Sequence, residues 1–506
     1  MKKLKKIFRT ADVSEIDKYT IEHEPVSSLL LMERASQILV ENLLEKNGYD
    51  KKYAVVTGWG NNGGDGYAVA RLLKEQDQKV MVFRVMTDAA MSADCEVNYK
   101  RWDGELKELC MPDELVPDRD IIIIDAIFGS GLNRKVTGLV ADVIRRINSL
   151  PNKVVSIDVP SGLMGEDNTG NDMSAVIRAD FTYTFQFPKL SFMLPQNAPY
   201  VGEWIVLDIG LHRDIIEAKV TSWYYLTESV VAGMLPEQCK FAHKGINGHG
   251  LLVAGSYGMM GAAVLASKAA IRSGIGLLSC HVPAGERNVI HIAVPEVLVN
   301  PDESRTLFSG VKELEKYDAV AVGPGINRNP GTVTGLRKLL MEWKGVTVLD
   351  ADALNIIADH PDMLELLHEN CILTPHMKEF ERLAGKSEND FDRLNKLSIF
   401  ANRYQIYVVL KGAYTAIAFP SGEICFNMSG NPGMAKGGAG DVLTGVLLAL
   451  AANRIKLPEA VLIGVYAHGL SGDLMREEKG MRGLCAGDIA EGMGKAWKRL
   501  ESFRAK

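Results

Sequence analysis

Short apolar runs rich in β-branched residues recur along the chain and end in Gly, Asp or Pro. In the first half these runs predict strands, and segments of helical periodicity lie between them. The predicted strands of this half are Tyr53–Thr57, Val80–Val85, Ile121–Asp125, Val154–Asp158 and Phe181–Phe185. The predicted helices include Val26–Glu45, Asp65–Glu75 and Leu139–Asn148. Such alternation predicts a parallel sheet covered by helices on both faces, which is a three-layer α/β fold.

A second strand–helix alternation begins after an irregular stretch at residues 208–229. Its predicted strands are Gly250–Ala254, Ala319–Val322, Val346–Asp350, Cys371–Thr374, Tyr407–Lys411 and Thr415–Phe419. A chain of 506 residues is long for a single domain. We therefore place a boundary near residues 222–228, with one domain at 1–222 and another at 223–506. The chain shows no short-period repeat, which excludes solenoid architectures.

The composition is that of a soluble globular protein, with 47% apolar residues, 24% charged residues and a net charge of −6. This balance argues against nucleic acid or an anionic membrane as the main partner. No apolar run approaches the roughly 18 residues of a membrane span, and the basic N-terminus lacks the apolar stretch of a signal peptide. The seven cysteines form no Cys-x-x-Cys pair. They indicate reduced thiols and a cytoplasmic location.

A glycine-rich segment precedes the apolar run at residues 442–452. Gly437, Gly438 and Gly440 lie immediately before Asp441. A helix that begins here presents unpaired N–H groups, which attract a phosphate or a developing oxyanion. Asp441 is a candidate base for a substrate hydroxyl. The alternative is an ordinary N-cap, but a plain cap does not require so many glycines.

The first half contains a formal G-x-G-x-x-G string at Gly58–Gly63. Read literally, it predicts a dinucleotide-binding dehydrogenase. That interpretation also requires an acidic residue at the end of the next strand, and Val80–Val85 is followed by Met86 and Thr87. The fuller string Asn61–Gly66 suits hydrogen bonding to a polar ligand. Its alternative is a polar loop that uses Asn and Gly for left-handed conformations.

Carboxylates follow two of the predicted strands of this half, at Asp125 and Asp158. The carboxyl ends of parallel strands border the ligand crevice. Asn62, Asp125 and Ser161 offer oxygen ligands that suit an alkali or alkaline-earth cation rather than zinc. Asp158 is then free to act as an acid or base. Each Asp taken alone is equally compatible with a turn or N-cap residue.

Three strings, Asn-Asn-Gly-Gly-Asp-Gly, Asp-Ala-Ile-Phe-Gly-Ser-Gly-Leu and Asp-Val-Pro-Ser-Gly, together resemble the NAD(P)H-hydrate epimerase domain, which is Rossmann-like. The resemblance implies interconversion of the R and S epimers of NADHX and NADPHX, the hydrated nicotinamide cofactors. It also implies a potassium ion on Asn62, Asp125 and Ser161, with Asp158 catalytic. The implied substrate-binding residues are Asn61, Asn62, Gly63, Gly64, Asp65, Gly129, Ser130, Gly131, Leu132, Asn133, Arg134, Lys135 and Asp158. Ser130 stands where the family often has threonine.

The second half contains neither a Walker A string nor a kinase His-Arg-Asp pattern, so nucleotide binding must use another architecture. Its strand ends carry the segments Gly323–Gly325, Asp350–Asn355, Leu373–His376 and Leu410–Thr415. Lys411 is a candidate phosphate ligand, although a surface lysine is the alternative. His376 is a candidate ligand-binding residue, and the alternative is that it caps the following helix.

This half resembles the ADP-dependent NAD(P)H-hydrate dehydratase, a ribokinase-like α/β domain. The resemblance implies that Asp441 accepts a proton from the 6-hydroxyl of S-NAD(P)HX as that hydroxyl attacks ADP, with Mg²⁺ as cofactor. AMP, phosphate and NAD(P)H are the products. The implied nucleotide ligands are Lys411, Gly412, Ala413, Tyr414, Thr415 and Gly440, and the implied substrate ligands are Ala262, Gly325, His376 and Asp441. A homo-oligomer is also expected.

One departure concerns the loop around His376, where the family usually has Thr-Pro-His-Pro-Gly-Glu. This chain has Met377 and Lys378 in place of Pro-Gly, which changes the backbone options and adds a positive charge. The alternative function is a ribokinase-like small-molecule kinase fused to a nucleotide-binding module. The preference between ADP and ATP, and between NADHX and NADPHX, stays open.

Overall fold

The structure, a computed structural model, describes residues 4–237 and 240–504. The chain divides into two compact units. The first comprises Lys6–Thr221 and Asn389–Phe391, and the second comprises the other described residues. None of the helices in the described ranges combines the length and apolarity that crossing a membrane requires. The six cysteines described are free thiols.

The first unit is built on a seven-stranded sheet in which all neighbouring strands are parallel. The sheet consists of β2 Lys52–Thr57, β3 Lys79–Val85, β4 Glu105–Leu109, β5 Ile121–Ala126, β6 Val154–Ile157, β7 Phe181–Phe185 and β8 Glu203–Leu207. A short strand, β1 Lys5–Ile7, precedes them in the chain and is not part of this sheet. The sheet order is β4-β3-β2-β5-β6-β7-β8. The five predicted strands are confirmed. The edge strands β4 and β8 were not predicted. Charged residues interrupt the apolar pattern of β4, and β8 is a short apolar run of which only Leu207 is buried.

Helices cover both faces of this sheet. They are α1 Thr10–His23, α2 Ser28–Asn47, α3 Asn61–Glu75, α4 Ala93–Arg101, α5 Gly138–Ser149, α6 Ala198–Val201 and α7 Arg213–Ala218. Alternate residues of β2 point to opposite faces, because Val55 packs in a core with Leu39 of α2, whereas Val56 packs in a core with Ile144 of α5. The three-layer prediction is therefore confirmed. The strand order reverses between β2 and β5, which places a ligand crevice at their carboxyl ends.

The second unit contains a mixed sheet. Its strands are β9 Trp223–Tyr225, β10 His249–Val253, β11 Leu277–Val282, β12 Leu298–Pro301, β13 Ala319–Val322, β14 Val346–Leu349, β15 Cys371–Leu373, β16 Tyr407–Leu410, β17 Ala416–Ala418 and β18 Ile424–Phe426. They follow the order β9-β18-β17-β16-β15-β14-β13-β10-β11-β12, and the strands from β16 to β12 are parallel. Strand β17 is the exception, because it is antiparallel to both β16 and β18. The loop Lys411–Thr415 is too short for a parallel crossover.

The helices of this part of the chain are α8 Glu228–Ala232, α9 Met260–Arg272, α10 Arg287–Ala293, α11 Pro330–Glu342, α12 Asp352–Asp359, α13 Met377–Ala384, α14 Asp390–Tyr404, α15 Ala439–Ala452, α16 Leu457–Gly483 and α17 Ala486–Arg504. Helix α15 is buried from Val442 to Ala452. It packs closely on α9, because a Cβ added at Gly445 would overlap the carbonyl of Ala266. The glycine-rich segment therefore feeds a helix in the centre of this unit.

Candidate active sites

A buried carboxylate, Asp125, lies at the carboxyl end of β5. Its oxygens accept hydrogen bonds from the N–H of Ser161 at 2.8 Å, from the Ser161 hydroxyl at 2.5 Å and from the Ser156 hydroxyl at 2.8 Å. Burial raises the pKa of Asp125, and these hydrogen bonds offset only part of that increase. In the parts of the chain that the structure describes, no Lys, Arg or His forms an ion pair with this carboxylate. Its negative charge therefore lacks a protein counter-charge.

Asp158 follows the neighbouring strand β6 and is paired with a buried lysine. Its Oδ1 lies 2.9 Å from Nζ of Lys189, a residue only 1% exposed. The N–H of Ser130 donates to Oδ2 at 3.1 Å. Burial raises the pKa of Asp158, but Lys189 and Ser130 lower it by more, so the net pKa lies below its ordinary value. Asp158 is therefore ionised at neutral pH.

The same cluster includes Asn62, in the first turn of α3, and Gly129, in the loop after β5. A Cβ added at Gly129 would lie 2.9 Å from Oδ1 of Asn62 and 3.3 Å from Oδ2 of Asp158. Nδ2 of Asn62 is buried without a hydrogen-bond partner. Asp158 has a φ of 64°, a left-handed conformation that is uncommon for residues with a Cβ and that recurs at functional sites. The fold thus brings together residues predicted from three separate strings.

The other residues predicted for this site are either packed or exposed. A Cβ added at Gly64 would lie 2.9 Å from Sδ of Met32, and one added at Gly63 would overlap the carbonyl of Gly58. These two glycines therefore serve the packing of α3 against its surroundings. Exposed residues are Asn61, Gly131, Asn133, Arg134 and Lys135, and half-buried ones are Asp65, Ser130 and Leu132. The loop after β5 is the part of the predicted set that a ligand can reach from solvent.

Two further carboxyl groups interact with Asp158. Burial raises the pKa of Asp65 well above its ordinary value, and the charge of Asp158 raises it further. Burial and then Asp158 raise the pKa of Asp17 to about 6, although Lys189 lowers it. Asp65 belongs to the residues predicted from the sequence, whereas Asp17 and Lys189 do not. A signal was present for Lys189, because a lysine within the apolar segment Phe187–Leu194 needs a partner when it is buried.

In the second unit, Asp350 at the carboxyl end of β14 organises another cluster. Nζ of Lys411 donates to Oδ1 at 2.8 Å, and the Thr444 hydroxyl donates to Oδ2 at 2.8 Å. Burial raises the pKa of Asp350, but Lys411 and the hydrogen bonds lower it by more. Burial lowers the pKa of Lys411, but the charges of Asp350 and Glu379 raise it by more. Both groups are therefore charged at neutral pH, and the ammonium is held in a fixed place.

The N-terminus of α15 lies beside this ammonium. Gly438 is the N-cap, with a φ of 94° that a residue with a Cβ rarely adopts. A Cβ added at Gly440 would lie 3.2 Å from Nζ of Lys411. Burial and the charge of Asp350 raise the pKa of Asp441 to about 6, while Lys411 lowers it. A helix N-terminus, an ammonium and a carboxyl group that titrates near neutrality thus share one site.

The predicted substrate residues Gly325 and Ala262 also lie together. Gly325 follows β13 with a φ of 66°, and a Cβ added there would lie 3.3 Å from Cβ of Ala262. The same added Cβ would lie 2.9 Å from the carbonyl oxygen of Met259. The loop after β13 therefore packs on the first turn of α9, with no space for a larger residue at Gly325.

His376 caps α13. Its Nδ1 accepts from the N–H of Glu379 at 3.2 Å, and Oε2 of Glu379 accepts from the N–H of His376 at 2.8 Å. This reciprocal arrangement is a capping box, which was the structural alternative for this histidine. The side chain is still 53% exposed, so its contact with substrate stays a prediction. The N–H of Lys411 donates to the carbonyl of Pro375 at 2.9 Å, which brings the two segments side by side.

The predicted nucleotide loop Lys411–Thr415 connects β16 to β17. The Thr415 hydroxyl donates to the carbonyl of Gly412 at 3.1 Å, which closes the loop. Gly412 and Ala413 are exposed, and Tyr414 is half-buried. A Cβ added at Gly412 would lie 3.8 Å from Cε of Met377. The departure from Pro-Gly thus places a methionine next to this loop.

An ionised Asp–Lys pair in the first unit, and a helix terminus with a lysine and a titratable Asp in the second, define a two-domain α/β enzyme. Two family models match the chain. The model described as NAD(P)H-hydrate dehydratase matches residues 250–494, and the model described as YjeF-related protein N-terminus matches residues 28–191.

Relatives that match nearly the whole chain carry one name. The chain is 33% identical to the bifunctional NAD(P)H-hydrate repair enzyme Nnr of Moorella thermoacetica, over 97% of this chain and 96% of that protein. It is 33% identical to Nnr of Thermofilum pendens, over 99% of this chain and 98% of that protein. It is 31% identical to Nnr of Escherichia coli, over 87% of this chain and 84% of that protein. The chain belongs to the family of bifunctional NAD(P)H-hydrate repair enzymes.

Solved structures resemble about half of the chain. A ribokinase-like superfamily protein of Enterococcus faecalis is 24% identical, with a TM-score of 0.50, and the match covers 56% of this chain and 98% of that one. It supports the ribokinase-like fold. An ADP/ATP-dependent NAD(P)H-hydrate dehydratase of Bacillus subtilis, co-crystallised with ATP and Mg²⁺, is 32% identical with a TM-score of 0.48. That match covers 54% of this chain and 98% of that one.

Proposed function

We propose that this protein repairs hydrated nicotinamide cofactors. It interconverts R and S NAD(P)HX and dehydrates the S epimer to NAD(P)H at the expense of ADP, which yields AMP and phosphate. One observation carries the proposal: Lys411, Gly440 and Asp441 converge at the N-terminus of α15, with a fixed ammonium and a carboxyl of pKa about 6. Family membership supports the same reaction.

The dehydratase chemistry follows from the poor leaving ability of hydroxide. Asp441 accepts the proton of the 6-hydroxyl as its oxygen attacks the β-phosphorus of ADP, and AMP leaves. The N–H groups of the glycine turn and Lys411 stabilise the charge on the transferred phosphoryl group. The ring nitrogen then expels phosphate, and the neighbouring ring carbon loses a proton. The net change converts NADHX and ADP into NADH, AMP and phosphate.

The epimerase chemistry uses the pair formed by Asp158 and Lys189. Inversion at the hydroxyl-bearing ring carbon requires that one bond of this carbon breaks and re-forms on the opposite face. A group must accept the released proton and then return it, and another group must stabilise the developing charge. Asp158 is ionised, and Lys189 lies 2.9 Å away. The exposed loop at residues 129–135 gives substrate access, with Arg134 and Lys135 available to the cofactor's phosphates.

The predicted potassium ligands fit such an ion. Asp125 is a fully buried carboxylate held by neutral donors, and Oδ1 of Asn62 lies beside Gly129 in the loop after β5. Asn62, Asp125 and Ser161 would hold the ion through oxygen atoms, as hard cations prefer. The ion would supply the counter-charge that Asp125 lacks.

Magnesium would enter the second site together with the nucleotide. In the described ranges, no group of three or more His, Cys, Asp or Glu side chains is arranged to hold a metal ion. Mg²⁺ usually keeps several waters and binds through substrate phosphates, which fits this arrangement. We further propose a cytoplasmic location, where the cofactors and ADP occur, and a homo-oligomeric assembly.

The decisive experiment separates the repair enzyme from a ribokinase-like kinase. Chemically hydrated NADH is incubated with the protein, ADP, Mg²⁺ and K⁺, and NADH absorbance, AMP and inorganic phosphate are followed together. The repair reaction yields the three products in equal amounts. A kinase would consume nucleotide and leave a stable phosphorylated product without NADH, which would refute the proposal.

A further inference from the structure

The loop at residues 427–438 joins β18 to α15 and carries the glycine turn. Its first part is fastened to α16. The hydroxyl of Ser429 donates to the carbonyl of Tyr466 at 2.8 Å. The N–H of Gly430 donates to Oδ2 of Asp473 at 2.8 Å, and Nδ2 of Asn431 donates to Oδ1 of the same residue at 2.9 Å. One carboxylate of α16 thus holds two consecutive residues of the loop.

The far end of the loop is fastened to the same helix. Nε2 of His468 lies 3.0 Å from the carbonyl oxygen of Ala439, the first residue of α15. A carbonyl only accepts, so Nε2 carries the hydrogen and donates. Burial lowers the pKa of His468 to about 4, so the ring is neutral at physiological pH. The bond fixes the helix turn that contains Asp441.

Between these two attachments, two glycines of α16 lie against the loop. A Cβ added at Gly469 would lie 2.7 Å from the backbone carbonyl oxygen of Ser429, and one added at Gly472 would lie 2.8 Å from Cε in the side chain of Met434. Small residues therefore let α16 press directly on the loop. Because packed backbone has few alternative arrangements, this contact limits how far the loop can shift.

From these contacts we propose that α16 is the support that sets the dehydratase centre, with His468 and Asp473 as positioning residues. The inference rests on the proposed dehydratase function. Neither residue needs to touch substrate. His468 holds the turn that carries Asp441, and Asp473 holds the start of the loop. Of the predicted nucleotide ligands, Gly440 lies on the turn that His468 holds, whereas the five residues of the hairpin Lys411–Thr415 belong to other elements. Loss of either positioning residue should therefore affect turnover more than nucleotide binding.

The test compares four variants of the full-length protein. His468→Met keeps much of the side-chain volume but removes the donor, and His468→Gln keeps a donor at similar reach. Asp473→Asn replaces one of the two carboxylate oxygens that accept from Gly430 and Asn431 with an amide nitrogen, which cannot accept. Glu477→Gln, one helical turn later on an exposed position, is the matched control. For each variant, kcat of NADH recovery and KM for ADP are measured, with epimerase activity and thermal unfolding as checks of folding.

A displacement of about 1 Å in a catalytic group can cost on the order of 100-fold in rate. We expect His468→Met and Asp473→Asn to lower kcat roughly 10- to 100-fold and to change KM for ADP less than about threefold. His468→Gln should recover most of the loss, and Glu477→Gln should match the parent.

Three results would overturn the inference while the parent remains active. They are a parental kcat in His468→Met, equal losses in the Met and Gln variants, or equal losses in Asp473→Asn and Glu477→Gln. A parent protein that recovers no NADH would instead refute the proposed function, and this inference with it.

Discussion

Dehydration should slow as the pH falls through about 6, because Asp441 must be ionised to accept the substrate's proton. Burial raises the pKa of this carboxyl, the charge of Asp350 raises it further, and Lys411 lowers it, which leaves it at about 6. The ionised form predominates above that value and is lost below it. The activity is therefore complete at higher pH and disappears on the acid side.

The magnitude follows from the titration of one group. At pH 5, one unit below the pKa, about one tenth of the enzyme carries ionised Asp441, so kcat should be about one tenth of its plateau. Lys411 lowers the pKa of Asp441, so Lys411→Met should move the acid limb to higher pH. Asp441→Asn should lower dehydration by roughly 10²- to 10⁴-fold at all pH values.

The assay measures kcat for NADH recovery at saturating hydrate, ADP and Mg²⁺ between about pH 5 and pH 8, a range set by the ordinary titration of a base near pH 6. A blank without enzyme is subtracted at each pH, because acid itself hydrates NADH. Circular dichroism at each pH separates titration from unfolding. A kcat that stays constant down to pH 5 would show that Asp441 is not the base.

Three more outcomes are expected. Lys411→Met should weaken ADP binding, measured by calorimetric titration, more than it lowers kcat at saturating ADP. The control Lys338→Met on α11 should change neither quantity, and equal ADP affinity in the two variants would show that Lys411 does not bind the nucleotide. Asp158→Ala should give biphasic NADH recovery, with a fast phase of about half the amplitude, because spontaneous epimerisation is slow relative to general acid–base catalysis; full recovery in one phase would contradict the assignment. Replacement of K⁺ by a bulky organic cation should reproduce the biphasic curve without loss of dehydratase rate, and an unchanged curve would exclude the ion.

The sequence by itself determined most of the buried strands. β5, β6 and β13 to β16 are continuous apolar runs because helices cover both faces of a parallel sheet. The ends of four of these strands were also readable, since Asp or Gly stands at the end of β5, β6, β13 and β14. Edge strands such as β4 and β8 could not be read in this way, because most of their residues are exposed or half-buried, and β4 also contains three charged residues.

The sequence likewise predicted candidate site residues at strand ends and helix starts. Asp125 and Asp158 were predicted because parallel strands bring their carboxyl ends to one edge of a sheet, and Asp441 because it lies at the start of a helix after a glycine-rich turn. It did not reveal which partner each group has. His376 is an example. The same local sequence is compatible with a cap of α13 and with a contact to substrate, so the sequence could not decide between these two roles.

Only the tertiary structure determined which side chains pair with the candidate site residues. Lys411 meets Asp350 across 61 positions of sequence, and Lys189 meets Asp158 across 31. His468 and Asp473 reach the glycine turn from a later helix. No local pattern encodes these distances, because they depend on how helices pack on the completed sheet. The pairings nevertheless set the charge of each group, since burial disfavours an ionised side chain and a nearby opposite charge restores it.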